Sequence, residues 1–149
     1  MKKRYLIGLD IGTSGAKCII VDDVGAVVAS STQEYPLSTP KPGWAEQDPA
    51  DWWAGIVRGC QTIMKKFQGD VRDIVGVSFS GQMHGLVALN KAREVIRPSI
   101  LWCDSRTQPQ CDWIIEKAGG LDGLLKLTNN NMLPGYTGGK IIWLRDEEP

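Results

Sequence analysis

Apolar and polar positions alternate along residues 4–10 (RYLIGLD), and apolar, β-branched runs follow at 16–22 (AKCIIVD) and 26–35 (AVVASSTQEY). Such runs predict short strands. The breaks between them, GTSG at 12–15 and DVG at 23–25, are turn sequences. Three short strands joined by tight turns predict an antiparallel meander. Residues 35–48 are rich in Pro, Ser and Gly and read as an irregular crossing segment.

The period changes at Asp48-Pro49, an N-cap acid followed by proline at the first helical position. Trp53, Ile56, Val57, Cys60, Ile63, Met64 and Phe67 then share one helical face, which predicts a core-facing helix stopped near Gly69. Residues 73–80 (DIVGVSFS) are nearly continuous in apolar content and predict a strand buried on both faces. Residues 86–90 and the stretch around 95–102 predict two further strands. Ser105 or Asp104 is the expected cap of a helix carrying Cys111, Ile114, Ile115 and Ala118, closed by Gly119-Gly120. Residues 121–127 predict a short helix and 129–139 a long polar loop. Residues 140–148 predict a last helix whose apolar side is Ile141, Ile142 and Trp143. The order predicts an α/β class with a mixed sheet.

Composition narrows the function classes. The 149 residues carry 17 Lys plus Arg against 17 Asp plus Glu, a formal net charge of zero. That argues against nucleic acid as a partner, because binding a phosphate backbone needs a basic surface. Apolar residues make up 42%, enough for a buried core. No run reaches the roughly 18 apolar residues of a membrane span. The start, MKKRYLIGLDIG, opens like a signal peptide, but Asp10 and the glycines interrupt it too early. A cytoplasmic protein without a membrane partner is the expectation. Cys18, Cys60, Cys103 and Cys111 form no CxxC pair, and His84 is the only histidine. Four reduced thiols, rather than a zinc site, are expected.

The stretch GLDIGTSGAK carries the most chemistry. Asp10 ends a strand, Gly12 and Gly15 bracket Thr13 and Ser14, and Lys17 lies two residues into the next strand. A turn of this kind offers backbone N–H groups and two hydroxyls to phosphate oxygens. A carboxylate at its rim suits Mg2+, usually through water. GxxxxGK[ST] is absent, and a strand rather than a helix follows, so neither a P-loop nor a dinucleotide fingerprint is present. Taken alone, the stretch is equally well an ordinary hairpin turn.

Five blocks in order, DIGTSGAK, PGWAEQDPADWW, GVSFSGQMHG, ILWCDSRT and PGYTGGKIIWL, resemble the start of the FGGY carbohydrate kinases over essentially the whole chain. The resemblance implies an actin-like ATPase (ribonuclease-H-like) domain, with a mixed sheet opened by the three-strand meander. It implies ATP and Mg2+ as cofactors. Asp10 would organise the metal and phosphates, and Thr13, Ser14, Gly15 and Lys17 would contact the ATP phosphates. Gln82, Met83 and His84 match the segment that faces the sugar. The Met83-His84 pair is that of members acting on xylulose, where members acting on glycerol carry an Arg-Glu pair. Trp102 matches a tryptophan of the substrate pocket. Tyr136 is a looser match on the sugar side.

The expected reaction is transfer of the ATP γ-phosphate to a ketopentose, D-xylulose. The alternatives are another ketose, a polyol or a sugar acid, or a non-catalytic sugar- or phosphate-binding remnant. A homodimer is allowed for a full-length enzyme. In the family the aspartate that takes the sugar proton comes later in the first domain, and the adenosine pocket belongs to a second domain. Residues 1–149 are therefore expected to be the incomplete opening part of the N-terminal domain, with no catalytic base and no kinase activity alone. The residue-level alternatives are plainer. His84 would be a hydrogen-bonded turn histidine, Arg106 a local ion pair, and Trp44, Trp52 and Trp53 packing residues.

Overall fold

The computed structural model describes residues 3–149. In chain order the elements are β1 (Tyr5–Ile11), β2 (Gly15–Asp22), β3 (Val27–Glu34), β4 (Glu46–Gln47), α1 (Pro49–Lys66), a 3-10 turn (Val71–Asp73), β5 (Ile74–Gly81), β6 (Ser99–Ile100), α2 (Gln108–Lys117), α3 (Gly120–Thr128) and α4 (Thr137–Glu147). They divide into two compact units. One runs through Pro36 and resumes over Pro49–Gln82; the other comprises Leu37–Asp48 and Met83–Pro149.

The first unit is a four-stranded sheet in the order β3-β2-β1-β5. The meander pairs antiparallel, as the turn spacing predicts, and β5 adds parallel to β1. Asp10 stands opposite Lys17 on one side and Ser80 on the other. Because side chains alternate between faces, Asp10, Lys17 and Ser80 share one face of the sheet. Leu9, Cys18, Ile20 and Ala29 lie on the other, where α1 covers them with Ile63 to form the core. The Tyr5 and Phe67 rings meet edge to face at 4.8 Å and close one end of that core.

The expected face of α1 packs on the sheet through Ile56, Cys60, Ile63, Met64 and Phe67, and is corrected at Trp53. Trp53 is 71% exposed, and the buried line is Gly55, Gly59 and Ile63, four residues apart. The two glycines let the helix backbone approach the sheet. A methyl at Gly59 would stand 2.5 Å from Cys18 Sγ, and one at Gly55 would stand 3.3 Å from the Tyr35 ring. Gly59→Val is therefore expected to lower stability by about 1–3 kcal/mol through overpacking. The urea midpoint measures this, and Cys18→Ala in the same chain should recover part of the loss.

A second expectation also fails. β5 is the edge of this sheet, and Val75, Val77 and Phe79 are exposed rather than buried on both faces. The helix α1 packs chiefly on β2 and β3 and leaves that side of β5 uncovered within the unit.

In the second unit β4 and β6 form a two-stranded antiparallel ladder. The strands expected over 86–90 and 95–102 shrink to β6 and to isolated bridges, Leu86 with Ile100 and Leu89 with Val95. The Asn90 side chain accepts from the Glu94 N–H at 2.9 Å, and Arg93 is left-handed at φ 66°. That tight turn, followed by Pro98 without an N–H, leaves little backbone free for a ladder. Gly119, the N-cap of α3, and Gly120, its first residue, are both left-handed and turn the chain between α2 and α3. Thr107, not Ser105 or Asp104, is the N-cap of α2; the Ser105 hydroxyl donates to the Gly43 carbonyl at 3.1 Å.

The helix α4 begins at Thr137, three residues before the expected start. A methyl at Gly139 would lie 2.9 Å from Cys111 Sγ and 3.0 Å from Thr107 Oγ1, so α4 seats closely on the start of α2. Trp143 is buried edge to face on Trp44, with Ile141 exposed.

The ion pair expected of Arg106 exists and is not merely local. Its side chain is 1% exposed and pairs with Asp104 and with Glu46, both at 2.7 Å. Its guanidinium lies 3.5 Å from the Trp44 ring centre and 4.8 Å from that of Trp143. Arg97 also pairs with Glu46 and reaches Glu148 at 2.8 Å. The four cysteines are free thiols. Among the described residues no helix is long and apolar enough to cross a membrane.

Candidate functional site

The turn at 12–15, expected to receive phosphate, lies in the first unit. Gly12 closes it by donating its N–H to the Gly15 carbonyl at 3.1 Å, so this N–H is not among those offered to a ligand. Tyr35, the last residue of the expected third strand, pins the turn by donating its hydroxyl to the Gly12 carbonyl at 2.5 Å. Burial and, secondarily, the Asp10 charge push the Tyr35 phenol upward, so it stays a donor. Gly15 is required by packing: a methyl there would meet the Gln33 carbonyl oxygen at 2.8 Å.

Asp10 is exposed at the rim, and Ser80 donates to its Oδ1 at 2.5 Å. Asp10, Lys17, Ser78 and Ser80 line an open depression of about 250 Å³ with Gly8, Leu9, Ile19 and Phe79. A single carboxylate held by a hydroxyl fits Mg2+ bound mainly by water and phosphate, the habit of that ion. Among the described residues no three His, Cys, Asp or Glu side chains cluster as a metal cage. Thr13 Oγ1 donates to Gln82 Oε1 at 3.4 Å, and the Gln82 N–H donates to the Ile11 carbonyl at 2.9 Å. Gln82, expected with the sugar, thus stands beside the turn at 12–15.

The boundary between the units falls between Gln82 and Met83. Met83, His84 and Trp102 belong to the second unit and are all exposed. Gly81 and Gly85 flank this loop, and neither has a positive φ. Instead His84 itself takes the left-handed conformation, φ 64°, which is uncommon for a residue with a Cβ although histidine is enriched there. Its ring lies 4.8 Å from that of Tyr136, tilted by 51°. Gly135 abuts the Trp102 carbonyl, where a methyl would come to 2.8 Å. The structure therefore groups His84 with Tyr136, and sets the Tyr136 loop against the Trp102 backbone.

Sequence reasoning missed three residues here. Ser80 and Tyr35 read as ordinary strand residues. Lys140 read as a polar residue at a helix start, yet it is fully buried and donates to the carbonyls of His84 at 2.7 Å and Gly135 at 2.6 Å. The only available signal was a lone lysine between Gly139 and the apolar run at 141–143.

An antiparallel meander extended by a parallel strand and backed by α1 places the chain in the actin-like ATPase, ribonuclease-H-like class of α/β folds. Residues 5–149 match the profile of the FGGY family of carbohydrate kinases, N-terminal domain, and the chain belongs to that family. It is 43% identical over 146 residues to the xylulose kinase of Bacillus subtilis (strain 168), covering 98% of this chain and 29% of that protein. The crystal structure of a xyloylose kinase from Brucella ovis superposes with a TM-score of 0.89 at 32% identity, covering 97% of this chain and 30% of that one. The xylulose kinase of Rhodospirillum rubrum gives 0.87 at 30% identity, covering 98% and 30%. The chain thus spans about 29% of the length of the curated relatives it matches.

Proposed function

We propose that this chain is the opening part of the N-terminal domain of a kinase that transfers the ATP γ-phosphate to a ketopentose, D-xylulose. The observation that carries the reading is the similarity of nearly the whole chain to xylulose kinases, with the Met83-His84 pair exposed in its loop. Phosphoryl transfer is mostly positioning and charge neutralisation, and the residues divide accordingly. Ser80 fixes one oxygen of Asp10, which would hold water of the Mg2+ shell. Lys17, on the same face, would add positive charge toward the phosphates, with Thr13, Ser14 and Gly15 at the turn. Mg2+ would supply neutralisation of the phosphate charge. Met83, His84 and Trp102 would face the sugar, with Gln82 beginning that segment. The imidazole offers a donor and an acceptor to a polyol, and Trp102 a flat surface for its C–H groups. The base that takes the sugar proton is assigned to none of these residues.

The deciding experiment measures phosphorylation by a full-length kinase carrying this segment against ketoses, aldoses, polyols and sugar acids; xylulose should be preferred. In the same enzyme His84→Ala should weaken xylulose use by about 1–3 kcal/mol, the loss of one buried hydrogen bond. The KM for ATP should stay unchanged. A loss falling on ATP instead would remove His84 from the sugar side.

A further inference from the structure

We propose that Lys140 is the positioning residue of the His84 loop: its ammonium group sets the loop's backbone, and with it the grip of His84 on the sugar, by donating to the carbonyls of His84 and Gly135. The sugar part of this inference rests on the function proposed above; the backbone part stands on geometry alone.

Lys140 is 0% exposed, in the first turn of α4. Burying an ammonium group is expensive, and an unbranched apolar chain would fill the same space without that cost. What lysine adds is charge-assisted donation, roughly twice as strong as a neutral hydrogen bond. It directs this to two main-chain carbonyls on two separate loops. One is the carbonyl of His84, whose left-handed backbone needs holding. The other belongs to Gly135, which sits against the Trp102 carbonyl and precedes Tyr136, the residue whose ring meets that of His84. One nitrogen therefore fixes the segments that carry three of the candidate sugar-facing side chains.

The surroundings do not neutralise the charge by direct pairing. Asp104 accepts from Ala45 and Arg106. Burial pushes the Lys140 amine down to about 8; Asp104, Cys103 and Cys111 oppose this, and Arg106 adds to it. Above that pH the neutral amine keeps N–H donors but loses the charge assistance. The same proton loss relieves the burial penalty. Between pH 8 and the ordinary lysine value of 10.5 the unfolded chain holds more protons than the folded one. Through this group the fold therefore gains stability as the loop loosens. General loosening would not do both.

His84 is the only histidine, so the chain labelled with carbonyl-13C histidine gives a single labelled signal, from the atom that accepts the Lys140 bond. That signal should step with a midpoint near pH 8, and the step should vanish in Lys140→Met. In a full-length kinase Lys140→Met should raise the KM for xylulose about tenfold or more, as loss of a charged hydrogen bond implies. The KM for ATP should not change, and wild-type KM for xylulose should rise above pH 8. A flat carbonyl signal in the unmodified chain, or a step that survives in Lys140→Met, overturns the proposal. So does an unchanged xylulose KM in that variant. If Lys140→Met does not fold, the unmodified chain's pH step still decides. If the full-length kinase ignores xylulose, the functional reading falls while the carbonyl step still tests the clamp.

Discussion

Asp104→Ala is expected to destabilise the second unit by about 3–5 kcal/mol, the cost of breaking a buried ion pair from one side. Asp104 is 2% exposed and its two oxygens accept from the Ala45 N–H, the Arg106 N–H and the Arg106 guanidinium. Truncation leaves Arg106 buried, with Glu46 as its remaining carboxylate, and that carboxylate is shared with Arg97. It also strands the Ala45 N–H. Urea unfolding followed by tryptophan fluorescence is the direct measurement, because Trp44 and Trp143 flank Arg106. Asp104→Asn, which keeps an acceptor for Ala45, should lose less. A loss for Asp104→Ala no larger than the roughly 1 kcal/mol of a surface pair would mean that Glu46 and the two indoles hold the arginine by themselves.

Asp10→Ala, in a full-length kinase carrying this segment, is expected to lower kcat by on the order of 100-fold or more. Loss of one preorganised group that stabilises transition-state charge has effects of that size. The sugar KM should barely move, because the residues proposed for the sugar lie in another loop. Fold stability should also be nearly unchanged, since Asp10 is exposed and its carboxylate accepts from Ser80 at an exposed site. Initial rates at varied Mg2+ and xylulose separate these effects. An equal loss in sugar affinity would mean that Asp10 serves the sugar as well as the phosphates. The companion change Ser80→Ala should reproduce a fraction of the kcat loss by releasing one Asp10 oxygen.

The parts of the fold that were readable from sequence have a strong local signal. The meander is written in its strand runs and turns, and α1 in Asp48-Pro49 and its period. The apolar face of α1 was legible from Ile56 to Phe67, but its closest approach was not, because the residues nearest the sheet are Gly55 and Gly59, and a glycine contributes nothing to hydrophobic periodicity. The cover on β5 was misjudged because apolar content reports that a strand prefers burial, not which segment supplies it. Of the candidate site, the turn at 12–15 was legible as a turn, and His84 as the lone histidine of a block that resembles the family. Its left-handed backbone carries no sequence signal, and its ring contact with Tyr136 and its anchor on Lys140 come from residues about 50 positions away, reached only through tertiary packing. Sequence spacing says nothing about where a buried ammonium group will point.

The open side of β5 has a practical meaning for handling the molecule. Val75, Val77 and Phe79 alternate along an edge strand with unpaired main-chain groups on its outer side. A long apolar edge of this kind is a template for strand addition by another copy. Purified by itself, the 149-residue chain should become more prone to cloudiness and self-association as its concentration rises, and a charged replacement at Val77 should be the simplest remedy.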